Sequence, residues 1–514
     1  MAAGKAGAVR TRGEPSIRNA IINAEDVTDT ADAAGGAAKG GGARDLRLAK
    51  KLLNDSGNGE RLLARFGRNL LFVPEVGRHY YTGKYWSGRD GDKEWDLAAQ
   101  KTATRMMWDE AAALDVELAG GDNKRLHEFR EFARQSGNKS RLDAMQSVIQ
   151  PHVQKRVDEL DPNPFLFNVQ NGTIELGSKG DPAAVRLRRA SRLDMITRIA
   201  PVGYDPDAEC VLFRRFLDRV IPDPEVQEWL QRWFGYCLTA DYSENKLALF
   251  WGEGRNGKGV LTHYMQWLLG DYAAVIQFAS LLADDRRRGS EASPDLAQLP
   301  GMRAVFAGEP KKGSKLDDGM LKQMTGGDDL KVRHLNRDFF DLHPTFKLTL
   351  AFNNKPQIRD DTHGMWSRVL LVPFTVIIPE AEIDRRLLDK LKAEGPGVLN
   401  WCLDGFRGWR DKGLLAPQAI LAATAEYRSE SDRIGQFIKA ATLPDMEGRL
   451  PAAELFGCYE AWCRAMEYRP VSQTLFGKEL SRRGIKIEKS NIIYRLGLKW
   501  NASGIDWDWQ VPYP

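Results

Sequence analysis

The residues best suited to chemistry in this chain lie in one glycine-rich turn. Gly252, Glu253, Gly254, Arg255, Asn256, Gly257, Lys258 and Gly259 follow the apolar run Leu247 to Trp251, and Val260 to Leu269 then shows helical apolar spacing. Glycines let successive N–H groups turn inward around an anion. The helix start adds its positive dipole end, and Lys258 adds a full charge. This order predicts a phosphate-binding loop over Gly252 to Val260. The pattern departs from the usual one at Gly259, where Ser or Thr would hold magnesium.

Three further residues follow apolar strands downstream. Glu309 closes Arg303-Ala-Val-Phe-Ala-Gly-Glu, where a carboxylate at a strand's C-terminal end can orient an attacking water. Asn353 closes Thr345 to Asn353 and is placed to sense a terminal phosphate through its amide. Arg368 stands at the mouth of the strand Val369 to Phe374 and suits a cation that offsets charge during phosphoryl transfer. Lys258, Glu309, Asn353 and Arg368 are therefore the candidate catalytic set.

The elements that must position them can be read from the surrounding pattern. Residues 245–378 alternate strand and helix, which implies a mainly parallel α/β sheet. Residues 1–45 are Ala/Gly-rich and are expected to be disordered. Residues 46–205 mix helical runs (Leu97 to Ala119, Lys124 to Gln150) with short strands, including two strands around the turn Asn171-Gly172. A helical stretch from Cys210 to Leu238 leads to the loop. Helices dominate 379–430. In 431–514, three helices (Ile434 to Thr442, Ala452 to Glu467, Ser472 to Arg483) and a basic hairpin suggest a winged-helix-like module.

With 514 residues, 42% hydrophobic and 28% charged, the chain has the composition of a multidomain globular protein. It has no apolar run long enough for a membrane span and no signal-peptide core. Five scattered cysteines suit a reducing cytoplasm. The net charge of +4 does not by itself point to nucleic acid. Between Arg469 and Lys499, however, eight basic residues face two acidic ones, the sign that a phosphate backbone attracts.

Taken together, these motifs resemble a superfamily 3 helicase, of the kind found in phage and plasmid primase-helicases and the poxvirus primase-helicase. Gly-Glu-Gly-Arg-Asn-Gly-Lys resembles that family's Walker A, Glu309 its Walker B acid, and Met320 to Arg333 its B-prime motif. Asn353 before Pro356 is similar to its sensor, and Arg368 to its arginine finger. Upstream, Asn54 to Asn58 and Leu160 to Thr173 resemble landmarks of the preceding domain. Downstream, Tyr427 to Asp432 and Tyr459 to Lys478 resemble the C-terminal module.

The resemblance implies an AAA+-like P-loop NTPase core at 206–378, continued by helices at 379–430. An α+β helicase-associated domain at 46–205 precedes it, and the winged-helix-like module at 431–514 follows. It implies ATP and Mg2+ as cofactors, with no residue assigned to the metal because Gly259 and Gly308 replace its usual ligands. A ring, most simply a hexamer, would move on single-stranded and forked DNA. Lys331, Arg333 and His334 would grip the strand, and Lys478, Arg482 and Arg483 would meet a duplex, with Lys486, Lys489 and Arg495 on the wing. Fewer than 50 residues precede the helicase-associated region, so a separate primase is expected as partner. The implied setting is the cytoplasm of a bacterial host, encoded by a phage, prophage or plasmid. Two alternatives stay open: a replication initiator whose nucleotide site is structural, and another P-loop phosphotransferase.

Overall fold

The computed structural model describes residues 41–178, 180–283, 294–311, 313–333, 339–358, 360 and 362–501. The chain divides into two compact units, Met1–Phe72 with Asp90–Gln154, and Val73–Arg89 with Lys155–Pro514.

The first unit is largely helical. Its first described helix, Gly41–Ala49, begins inside the segment expected to be disordered. Leu48 and Ala49 are buried there, and Asp45 accepts a hydrogen bond from Arg65 at 2.7 Å, so these residues have core partners that the composition did not announce. The rest of that segment, 1–40, lies outside the described residues. The run expected as one helix from Leu97 to Ala119 is interrupted by a π-helical turn, Met106–Glu110. Glu110 is fully buried and accepts from Arg61 at 2.9 Å and Arg65 at 2.8 Å. Burial of an unpaired carboxylate would be very costly, and the two guanidinium groups remove that penalty. Lys124 to Gln150 is likewise two helices, Asn123–Gln135 and Lys139–Ile149. The landmark Asn54 to Asn58 is a helix start, with Asn54 capping Gly57 N–H at 2.8 Å.

The second unit is built on five parallel strands: β1 (Leu247–Trp251), β2 (Ala273–Ile276), β3 (Ala304–Ala307), β4 (Lys347–Phe352) and β5 (Val369–Pro373). Their order is β5-β1-β4-β3-β2. Nearly every residue in them is buried, as a parallel sheet covered on both faces requires. The chain leaves β1 for the far edge at β2, returns through β3 to β4 beside β1, and then crosses to β5. The crevice at the C-terminal ends of β1 and β4 is therefore the topological switch point where such sheets bind ligands. Helix α1 (Lys258–Leu269) follows β1. The helical stretch from Cys210 splits into Val211–Val220 and Pro224–Tyr236 around Pro222, with Asp223 capping the second helix. The hairpin around Asn171-Gly172 forms as expected and gains a third strand, Val185–Arg188.

Two buried cations hold the N-terminal edge of this sheet. Lys347 Nζ donates to the carbonyls of Thr239, Asp241 (3.1 Å) and Thr345 (3.4 Å), and lies 4.5 Å from the Tyr236 ring centre. Arg303 donates to the carbonyls of Leu238 and Leu166. Both tie the starts of their strands to carbonyls in the segment that follows the helix finishing at Tyr236. Burial pulls the Lys347 ammonium down to about 7. In the unfolded chain this lysine keeps its proton up to its ordinary range, so stability is predicted to rise as pH increases from about 7 toward 10. The slope approaches about 1.4 kcal/mol per pH unit from this group. A Lys347→Met variant should lose that rise in thermal unfolding scans at stepped pH.

The last part of the second unit has its own core of Ile434, Phe437, Leu455, Tyr459, Trp462, Phe476, Leu480 and Leu498. Helix α2 (Gln418–Ser431) leads into α3 (Arg433–Ala441), α4 (Ala452–Ala465) and α5 (Gln473–Arg482). The strands Thr442–Pro451, Ile493–Trp500 and Ile487–Lys489 pair antiparallel in that spatial order. The strand from Thr442 was not apparent in the sequence, because Pro444, Asp445 and Gly448 hide its pattern.

Candidate functional site

Strand β1 delivers the chain to the loop between its two sheet neighbours, β5 and β4. The loop then needs backbone that most side chains resist. Gly254 (φ +107°), Arg255 (φ +48°) and Gly257 (φ +80°) are left-handed. A Cβ on Gly252 would lie 2.1 Å from Asn256 Nδ2 and 2.3 Å from Phe374 O. Asn256 donates to Phe374 O at 3.2 Å, which fastens the loop to the end of β5. Among the described residues, no group accepts from the N–H of Gly254, Arg255, Asn256 or Gly257. These donors and the start of α1 are the cradle that an anionic ligand such as a nucleotide phosphate requires.

Lys258 is buried at the bottom of this cradle. Its Nζ donates to Gly252 O (2.7 Å), Asn256 Oδ1 (3.0 Å) and Asn353 Oδ1 (2.9 Å). Burial pulls its ammonium down to about 8, opposed by the charge of Glu309. Asn353 emerges from β4 and donates from its N–H (3.1 Å) and Nδ2 (2.7 Å) to Glu309, which emerges from β3. Lys258, Asn353 and Glu309, 95 and 44 residues apart in pairs, thus form one hydrogen-bonded chain at the C-terminal edge of the sheet. An amide that touches both the lysine and the acid is placed to register whether a phosphate lies between them.

Arg368 is elsewhere. It precedes β5, whose Val369 pairs with Leu247 at the start of β1. The length of β1 therefore separates it from the loop, about 15 Å by strand rise. Its Nη1 donates to Gly364 O at 2.6 Å, and its Nε has no acceptor among the described residues. Arg368 is not part of the cradle.

The donor set does not fit a protein-held Mg2+. Among the described residues no group of three His, Cys, Asp or Glu side chains converges. Glu309 already accepts from Asn353. Thr262, one turn into α1, donates its hydroxyl to Lys258 O (3.0 Å) and Gly259 O (3.2 Å), so it does not stand in for the missing hydroxyl. Nothing lies within 4 Å of a Cβ built on Gly259 or Gly308. Packing does not impose either glycine. A Gly259→Thr variant is predicted to fold normally and to lower, several-fold, the Mg2+ concentration needed for half-maximal nucleotide binding, as titration calorimetry would read.

The candidate nucleic-acid residues separate into three groups. Leu330–Val332 and Phe340–Leu342 form an antiparallel hairpin. On it Lys331 is exposed and pairs with Asp341 at 2.8 Å, while Arg333 lies 4.6 Å from the Phe339 ring centre. His334 lies outside the described residues. On α5 and just beyond, Lys478 and Arg482 are exposed, with Arg482 3.0 Å from Glu479. Arg483 makes a two-pronged ion pair with Asp432, 2.7 Å on each prong, so its guanidinium serves the module's own fold. Arg495, expected on the wing, is buried and donates to Ser481 Oγ (2.8 Å) and Gly477 O (2.7 Å). It joins the hairpin to α5 instead. Lys486 and Lys489 remain exposed.

Sequence reasoning missed Trp251, Lys355 and Glu430. Trp251 Nε1 donates to Asn353 O at 3.0 Å, and Lys355 Nζ lies 4.2 Å from the Trp251 ring centre while pairing with Glu430 at 2.7 Å. An aromatic at the end of β1 and a lysine two residues after the sensor were the available signals.

The fold is that of an α/β protein whose loop N–H groups at the switch point have no acceptor among the described residues. Residues 59–222 match the family described as D5 N terminal like, and residues 429–491 match the Poxvirus D5 protein-like family. A protein of Acanthamoeba polyphaga mimivirus named as a helicase is 29% identical over 301 residues, covering 54% of this chain and 30% of the relative. A helicase-named protein of Invertebrate iridescent virus 3 is 26% identical over 412 residues, covering 73% and 42%. A primase-named protein of African swine fever virus is 26% identical over 215 residues, covering 41% and 22%. The C-terminal region of NrS-1 in its apo form superposes with a TM-score of 0.37 at 13% identity, over 61% of this chain and 87% of that one. The chain is thus similar to D5-like helicase and primase proteins of large DNA viruses, and spans less than half the length of these curated relatives. The named relatives are viral, and none of them points to a bacterial host. Among the described residues no helix is long and apolar enough to cross a membrane.

Proposed function

We propose that the chain is an ATP-dependent DNA helicase of the superfamily 3 kind, acting as a ring on single-stranded DNA during replication. The observation that carries this reading is the chain of hydrogen bonds from Lys258 through Asn353 to Glu309 beneath the left-handed loop. Residues 252–260 would hold the phosphates of ATP, the loop N–H groups and Lys258 offsetting their charge. Glu309 would orient the attacking water and take up its proton. Asn353 would follow the terminal phosphate and pass its loss to the loop after β4. Arg368, facing away from its own cradle, would reach the nucleotide of the neighbouring subunit, which makes a ring, most simply a hexamer, the working form.

Within the ring, the segment carrying Lys331 and Arg333, with His334 next in sequence, would track the strand by backbone charge without reading sequence. The winged-helix-like module would lay Lys478 and Arg482, with Lys486 and Lys489, against duplex DNA. A separate primase would supply primers. Gly259 and Gly308 favour a second reading, a replication initiator whose bound nucleotide stabilises assembly without turnover. One experiment separates the two: ATP hydrolysis with and without single-stranded DNA, alongside unwinding of a fork. DNA-stimulated turnover with strand displacement is expected. Tight nucleotide binding and assembly without turnover would replace the motor by the initiator.

A further inference from the structure

We infer that Lys355 is a positioning residue for Asn353, and that its ion pair with Glu430 couples the nucleotide site to the module at 432–500. The inference rests on the nucleotide reading above.

The segment after β4 is fixed on three sides. Asn353 O accepts from Trp251 Nε1 at 3.0 Å, which ties the amide's backbone to the last residue of β1, immediately before the loop. Lys355 Nζ sits 4.2 Å from the same ring's centre and 5.7 Å from that of Tyr427, while donating to both carboxylate oxygens of Glu430 at 3.0 and 2.7 Å. Pro356 O accepts from the buried Tyr427 hydroxyl. Tyr427 and Glu430 lie in the last turns of α2, one step before the module.

Lys355 is largely shielded from solvent, 14% exposed at its side chain, and its charge is held by one carboxylate and an aromatic face. Attraction in such a setting is worth more than at an open surface. The partner's position matters further down the chain. Glu430 and Ser429 offer their carbonyls to Gln436 Nε2 of α3, at 3.0 and 2.7 Å. Two residues beyond Glu430, Asp432 caps α3 through Gly435 N–H at 2.8 Å and holds Arg483 in its two-pronged pair. A shift of Asn353 as the terminal phosphate is lost therefore moves Lys355 over Trp251, pulls on Glu430, and reaches α3 and the end of α5 through the polar contacts of Gln436 and Asp432. This is a defined element that both ends can bias, which coupling requires.

The test is hydrogen exchange of the full chain with and without a non-hydrolysable ATP analogue, beside analogue affinity. In the wild type, analogue binding is expected to slow exchange in α3 and α5 several-fold. Glu430→Gln should abolish that change while leaving analogue affinity within about twofold of wild type. Glu430→Asp, which keeps the carboxylate on a shorter stem, should retain part of the change, and its complete loss in that variant would count against the ion pair as the link. Lys355→Met should lower kcat more than it raises KM, because it loosens Asn353 and not the phosphate cradle. If wild-type exchange in α3 and α5 is unchanged on binding, or Glu430→Gln keeps the change, the coupling is overturned while the nucleotide reading stands. If the wild type binds no analogue, the nucleotide reading fails first.

Discussion

Lys258→Ala is expected to lower ATP turnover by about 10²–10³-fold, the scale seen when one preorganised electrostatic donor is removed from a phosphoryl or acyl site. The lysine donates to Gly252 O, Asn256 Oδ1 and Asn353 Oδ1, so its loss also leaves two buried acceptors and one half-buried acceptor short of a donor. Some loosening of the loop will accompany the chemical defect, and nucleotide affinity should fall with turnover. A pH titration of the wild type gives a sharper result. The ammonium is held at about 8 by burial when no phosphate is present. A bound phosphate favours the charged form and raises that value toward the ordinary lysine range. Above pH 8, binding must therefore take up a proton, and affinity should fall by about tenfold per pH unit until the bound-state value is reached. Calorimetry in buffers of different ionisation enthalpy reads the proton directly. Affinity that stays flat from pH 7 to 10 would place Lys258 away from the phosphates.

Arg368→Ala is expected to cut turnover by about 10³–10⁵-fold while leaving nucleotide affinity nearly unchanged, since an arginine supplied across an interface acts mainly in the transition state. Register decides this. Arg368 stands just before β5, whose first residue, Val369, is level with Leu247, and the cradle stands past Trp251 at the other end of β1. No rotamer of one arginine spans that length and also passes the packed sheet. The decisive measurement mixes two inactive variants. An interface that takes Lys258 from an Arg368→Ala subunit and Arg368 from a Lys258→Ala subunit is complete. Equal mixing should therefore repair about one interface in four in a closed ring. Recovery of activity on mixing would establish action between subunits. Two variants that remain inactive together, while each still assembles, would remove Arg368 from the catalytic set.

Much of the site was legible because its chemistry is local. The glycines at 252, 254 and 257, the lysine after them and the strand before them are a run of neighbours, and turn geometry follows from residue type within a few positions. The ends of β3 and β4 were equally plain, since buried parallel strands read as apolar runs that stop at a polar residue. Of those stopping residues, Asn353 meets Lys258 directly and Glu309 meets Asn353. Strand order cannot be read in this way. That β4 inserts between β1 and β3, bringing residues 44 and 95 positions apart into one hydrogen-bonded chain, follows from how the sheet closes.

Charge was the least transferable signal. Arg483 and Arg495 belong to the same basic run as Lys478 and Lys486, yet Arg483 holds Asp432 and Arg495 is buried against α5. A guanidinium's type and spacing do not tell whether a carboxylate or carbonyl waits in space, and burial, not sequence, decides which cations face solvent. The helical run at 97–119 was interrupted for a related reason. Local propensity supported continuous helix, but Glu110 had to turn inward to Arg61 and Arg65, and tertiary packing outweighs propensities worth tenths of a kcal/mol, on the order of 0.5 per residue. In this protein the sequence alone determined the loop, its lysine and the residues ending each strand, because these depend on near neighbours. Which of them meet, which arginine lies away from the loop and which basic residues are exposed were decided by packing over long separations.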